Sequence, residues 1–124
     1  MSRKRILVID DDDDVREVAA LALETGGDFE ILTADNGRAG LAKALQCHPD
    51  LILLDVMMPE LDGPSTFRLL RQGSRTSGIP IIFLTAKVQA ADRRNLTALG
   101  ANGFIAKPFD PLLLAEQVWE IAAW

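Results

Sequence analysis

The sequence is poor in the features that would announce a disulfide scaffold, a zinc site or a membrane protein. It has one cysteine, Cys47, and one histidine, His48. A lone cysteine forms no internal disulfide and reads as a small buried hydrophobe. Without a Cys/His cluster there is no zinc set. No apolar run approaches the roughly 20 residues that a membrane helix needs. The basic start Met1-Ser2-Arg3-Lys4-Arg5 is followed by only Ile6-Leu7-Val8-Ile9, too short for a signal-peptide core, so a cytoplasmic location is expected. No glycine-rich phosphate loop follows that first apolar run; carboxylates do. Thirteen Lys and Arg against eighteen Asp and Glu leave a net charge of −5. That balance argues against a direct nucleic-acid surface and favours a bound cation.

What is present is an ordinary globular composition, 48% hydrophobic and 25% charged over 124 residues. One domain spanning residues 1–124 is expected, with no repeat, linker or low-complexity segment to divide it. Its organising stretch is Leu51-Ile52-Leu53-Leu54-Asp55. Four apolar residues without alternation indicate a strand covered on both faces, as in a parallel sheet, and Asp55 ends it. Ile6 to Ile9 stops likewise at Asp10 to Asp14. Phe29 to Ala34, Ile79 to Leu84 and Phe104 to Ala106 supply three more strands.

Between the strands the period becomes helical. Val15, Val18, Ala19, Ala22 and Leu23 mark one helix, with Arg16, Glu17 and Glu24 largely on its other side and Gly26-Gly27 as its stop. A second carries Leu41, Ala42, Ala44 and Leu45 and ends before Pro49. A third opens at Pro64 and runs through Phe67, Leu70 and Arg71. A fourth runs from about Ala90 to Gly100, and a fifth from near Pro111 through Leu114, Val118 and Ile121. The fold class is α/β: a doubly wound five-stranded parallel sheet with five helices and right-handed crossovers.

In such a sheet the strand ends share one edge, where open α/β sheets place their ligands. Asp10, Asp11, Asp55, Thr85 and Lys107 each stand at the end of an apolar run and so converge. Clustered carboxylates repel, which raises a pKa or calls for a cation. An oxygen-only set from Asp10 or Asp11 and Asp55, with a backbone carbonyl near Met57, suits Mg2+. Beside magnesium, Asp55 can act as a nucleophile toward phosphorus and form an acyl phosphate. Lys107 adds a positive charge and Thr85 a hydroxyl donor.

The ordered set Asp10-Asp11, Asp55, Met58-Pro59, Asp62-Gly63, Thr85-Ala86 and Lys107-Pro108 resembles the response-regulator receiver domain of two-component signalling, over essentially the whole chain. The resemblance implies a flavodoxin-like fold with strand order 2-1-3-4-5 and a cis Lys107-Pro108 bond. It implies phosphorylation of Asp55 by a sensor histidine kinase or phosphotransfer protein, with magnesium held by Asp10, Asp11, Asp55 and the Met57 carbonyl. It implies a switch in which Thr85 turns toward the phosphate and Phe104 moves inward, altering the surface of the fourth helix, fifth strand and last helix. Catalysis would extend only to the domain's own phosphorylation and dephosphorylation. Met57 and Lys87 flank the site and would tune the phosphate's lifetime. Two departures stand out: Asn102-Gly103 where an acidic pair is common, and the extra acids Asp12, Asp13 and Asp14.

Blander roles compete. Asp12 to Asp14 fit a helix cap and first turn, His48 a helix end, Phe104 plain core, and Trp119 and Trp124 terminal packing, although Trp119 also suits a partner or a dimer formed on phosphorylation. Three other functions are weighed. One is a phosphate-independent interaction module of the same fold. Another is a magnesium phosphatase, which wants a carboxylate two residues after Asp55, where Met57 stands. The third is a nucleotide or flavin binder, whose phosphates Asp11 to Asp13 would repel. A receiver module cut from a longer regulator or hybrid kinase is a further alternative.

Overall fold

A computed structural model describes residues 3–86 and 90–124. Among these, five strands and five helices alternate: β1 (Arg5–Ile9), α1 (Asp13–Gly27), β2 (Glu30–Ala34), α2 (Gly37–Cys47), β3 (Leu51–Asp55), α3 (Gly63–Gln72), β4 (Ile81–Thr85), α4 (Ala90–Leu99), β5 (Gly103–Ala106) and α5 (Leu114–Ala122). The strands form one parallel sheet in the order β2-β1-β3-β4-β5.

The unbroken apolar strands follow from burial on both faces. Alternate residues Ile6, Val8, Leu51, Leu53, Ile82 and Leu84 join Ala19, Leu23, Leu114 and Val118 on one side of the sheet. Leu7, Ile9, Ile52, Leu54, Ile81 and Phe83 join Ala44, Phe67, Leu70 and Leu96 on the other. Every residue of β3 and β4 is buried. Two cores back to back hold the sheet rigid, and its carboxyl edge inherits that rigidity.

Several local expectations need correction. Gly26 and Gly27 lie inside α1, and the turn that ends it is made by Asp28, at φ 53° and ψ 44°. Val18, expected on the buried stripe, is 42% exposed. In α2, Leu45 and Ala42 face outward, and the buried face is Gly37, Gly40 and Ala44. The cause is Ile9: a Cβ on Gly40 would lie 2.4 Å from its Cδ1, so this face must be small. The last helix starts at Leu114 rather than near Pro111, after a turn closed by Leu113 N–H to the Asp110 carbonyl at 3.0 Å.

Other ends behave as expected. Asp12 caps α1, its carboxylate accepting from the N–H groups of Asp14 and Val15. Pro64 stands in the first turn of α3. Gly100 follows α4 at φ 101°, a conformation that favours glycine. The Lys107-Pro108 bond is cis. Trp119 and Trp124 pack against each other and against Phe29, with ring centroids 5.5 to 5.9 Å apart.

Candidate functional site

β1, β3 and β4 end within one or two residues of each other, because the register pairs Ile9 with Leu54 and Asp55 with Leu84. Asp10 and Asp55 therefore meet side by side, 0% and 4% exposed. Lys107, just beyond β5, is drawn in by a backbone bond from its N–H to the Thr85 carbonyl at 2.9 Å. Its Nζ lies 2.7 Å from Asp10 Oδ2 and 3.0 Å from Asp55 Oδ1. One ammonium thus bridges two buried carboxylates contributed by different strands.

Asp10 is held at every polar atom. Its N–H donates to the Ala34 carbonyl at 3.1 Å, and its Oδ1 accepts from the Asp12 N–H at 2.9 Å. Its carbonyl accepts from Arg16 at 2.7 Å. Outside the ion pair with Lys107, Oδ2 has no hydrogen-bond partner. Asp11 is exposed. Oxygens of Asp10, Asp11 and Asp55 all lie within 4.8 Å of one another. Three carboxylates within that reach fit a hard divalent cation, and oxygen donors alone suit magnesium, manganese or calcium.

Burial pushes the Asp55 carboxyl up from 3.8 to about 6; the negative charge of Asp10 adds to the rise, while the hydrogen bond and charge of Lys107 oppose it. For Lys107, burial acts downward but is outweighed by its bonds to Asp10 and Asp55, so its pKa is raised and the ammonium stays charged.

Around this centre, Thr85 is buried at the end of β4, level with Ala106 across the sheet. Met57 is 74% exposed just past Asp55. Gly63 allows α3 to begin against the same strand end: a Cβ there would lie 2.3 Å from the Asp55 carbonyl oxygen. Phe104 is half-buried, paired in register with Phe83 and packed against the second core. A cavity of about 350 Å3 lined by Asp14, Val15, Val18, Ala86, Pro108 and Phe109 opens beside Lys107. Lys87 lies outside the described residues. His48 caps α2 in the left-handed conformation, away from the site.

A profile of the response regulator receiver domain matches residues 6–118. The chain belongs to the response regulator receiver domain family. The receiver domain is 41% identical over 106 residues to the DNA-binding dual master transcriptional regulator RpaA of Synechocystis, covering 86% of this chain and 44% of RpaA. It is 41% identical over 118 residues to the phosphate regulon transcriptional regulatory protein PhoB of Pseudomonas aeruginosa, covering 95% of this chain and 51% of PhoB. It thus spans about half the length of the curated relatives it matches. Among solved structures it is similar to the chemotaxis protein CheY4 of Vibrio cholerae, with a TM-score of 0.90 at 31% identity over 97% of this chain and 99% of that one. A putative response regulator from Chloroflexus aurantiacus gives 0.89 at 33% identity, over 99% and 100%. The flavodoxin-like strand order expected from the resemblance is the order observed. Receiver domains of response regulators generally bind magnesium and interact with histidine kinases or phosphotransfer proteins.

One feature of the site runs against the helical pattern. The apolar period places Arg16 on the solvent side of α1, yet it reaches back to the Asp10 carbonyl and to Asp13. A cation in the first turn of a helix opposes the helix dipole, and that mismatch was the available signal. At the opposite, amino end of β4, Asn102 has a structural role: its Oδ1 accepts from the Ile81 N–H at 2.9 Å and from Arg71 at 3.3 Å.

Proposed function

We propose that this receiver domain is a phosphoacceptor switch in which Asp55 takes a phosphoryl group from a phosphohistidine on a sensor histidine kinase or phosphotransfer protein. The observation that carries the reading is the bridge from Lys107 to both Asp10 and Asp55, at 2.7 and 3.0 Å, beside exposed Asp11. Asp10, Asp11, Asp55 and the Met57 carbonyl would hold magnesium. When bound, the metal neutralises charge on the phosphoryl oxygens.

The remaining steps belong to the chain's own groups. An Asp55 oxygen attacks phosphorus, the bond from phosphorus to the donor imidazole breaks, and its electron pair leaves on the ring nitrogen, which takes up a proton. Asp55 enters this step with its orientation already set by β3. Lys107 supplies a fixed positive charge to oxygens that gain negative character, an effect strengthened by its partial burial. The largely apolar cavity beside Lys107, with Asp14 on its wall, offers the donor an approach to the site. Hydrolysis of the acyl phosphate by water returns Asp55 to its free form, so the domain catalyses only its own phosphorylation and dephosphorylation.

The signal would pass through Thr85, whose hydroxyl turns to the new phosphate, and Phe104, which moves inward behind it and alters the face made by α4, β5 and α5. A dimer formed on phosphorylation is compatible with that face. We assign a cytoplasmic location and neither membrane nor direct nucleic-acid contact to this domain; among the described residues no helix is long and apolar enough to cross a membrane. The same switch serves a stand-alone protein or one module of a longer regulator or hybrid kinase. Beryllofluoride with magnesium, an acyl-phosphate mimic, tests it by amide NMR. Shifts at Asp55, Thr85 and Phe104 are expected; an unchanged spectrum would favour the phosphate-independent interaction module.

A further inference from the structure

Arg16 is a side chain the proposed chemistry does not use, yet it is bonded to the backbone of a site residue. From the first turn of α1 one guanidinium nitrogen donates to the Asp10 carbonyl at 2.7 Å, and the other pairs with the Asp13 carboxylate. The side chain is 17% exposed, although Asp13, its partner, is 81% exposed. Its backbone N–H donates to the Asp12 carbonyl at 3.1 Å. Arg16 therefore spans the whole turn from Asp10 to Asp13.

We propose that Arg16 is a positioning residue for the divalent-cation site: by clamping the Asp10 carbonyl to the start of α1 it fixes the peptide that carries Asp11. The inference rests on the magnesium reading above. The Asp10 carboxylate is already held by Asp12 and Lys107, but the exposed Asp11 depends on the direction in which the Asp10-Asp11 peptide faces. Turning that peptide moves the Asp11 Cβ while leaving Asp10 where it is. A planar guanidinium has two donors at a fixed angle and can grip a carbonyl and a carboxylate together, which an ammonium does less well.

The sign of the effect separates positioning from charge. Arg16 is a cation close to a cation site. On Coulomb's law alone, removing it strengthens magnesium binding, and Arg16→Lys changes little. As a clamp, its removal weakens binding, by the tenfold to hundredfold typical of groups that orient metal ligands, and Arg16→Lys falls short of the wild type.

The experiment is calorimetric titration of magnesium into the wild type, Arg16→Met and Arg16→Lys, with the Asp11 amide resonance recorded metal-free. Methionine keeps the apolar stem, and lysine keeps the charge should methionine fail to fold. The expected result is a Kd raised at least tenfold in Arg16→Met, a smaller rise in Arg16→Lys, and a displaced Asp11 resonance in both. Wild-type binding with an equal or lower Kd in Arg16→Met, or in Arg16→Lys should methionine fail to fold, would overturn the clamp alone. A wild type that binds no magnesium would overturn the cation-site reading and the clamp with it.

Discussion

Replacing Asp55 by asparagine should stabilise the metal-free domain at neutral and alkaline pH, because the fold works against the Asp55 charge. Its pKa rises from 3.8 to about 6, a displacement worth about 3 kcal/mol at 1.36 kcal/mol per unit. That figure already includes the favourable bond to Lys107, which keeps Asp10 at 2.7 Å as its partner in the variant. The sign follows from linkage. A folded pKa above the unfolded one means that the neutral form stabilises the fold; this contribution is complete below about 3.8 and is lost as pH rises through about 6. Wild type and Asp55→Asn should therefore match near pH 4 and diverge to a ceiling of about 3 kcal/mol by about pH 8. Urea unfolding in chelator, followed by the fluorescence of the packed Trp119 and Trp124, reads the gap as a midpoint shift of about 1–2 M. A pH-independent gap, or a variant less stable than wild type at the higher pH, would refute the electrostatic account of this carboxyl.

Three further outcomes follow from the same geometry. Saturating magnesium should close most of that gap, stabilising the wild type by about 2.7 kcal/mol at a hundredfold excess over Kd and Asp55→Asn by less; thermal melts with metal and then with chelator check it. Lys107→Met leaves Asp10 and Asp55 facing each other with no ammonium between them, and should cost about 3–5 kcal/mol in metal-free buffer at neutral pH, a loss that urea titrations should find reduced on acidification. Gly63→Ala puts a Cβ 2.3 Å from the Asp55 carbonyl, so it should lose about 1–3 kcal/mol and slow labelling by a small phosphodonor.

The strands and their terminal groups were the most legible part of the sequence. A parallel strand buried on both faces has nowhere to put a charge until it leaves the sheet, so Asp10 after Ile9 and Asp55 after Leu54 mark the edge by themselves. Helix faces were harder. In α2, apolar residues lie on both sides, and Gly40 and Ala44 were chosen over Leu45 by the bulk of Ile9 beneath them, a long-range fact no periodicity carries. The α1 stop shifted from the Gly26-Gly27 pair to Asp28 because Asp, like Gly, tolerates the left-handed conformation. Arg16 is not legible from its polarity, which sends a charged residue to solvent, because its acceptor is a backbone carbonyl six residues earlier.

The most direct test of the central claim is to incubate the domain with magnesium and a small phosphodonor and map the phosphorylated residue by mass spectrometry. A single alkali-labile phosphoryl group on Asp55 is expected, absent from Asp55→Asn and from samples in chelator. Undiminished label in Asp55→Asn would contradict it.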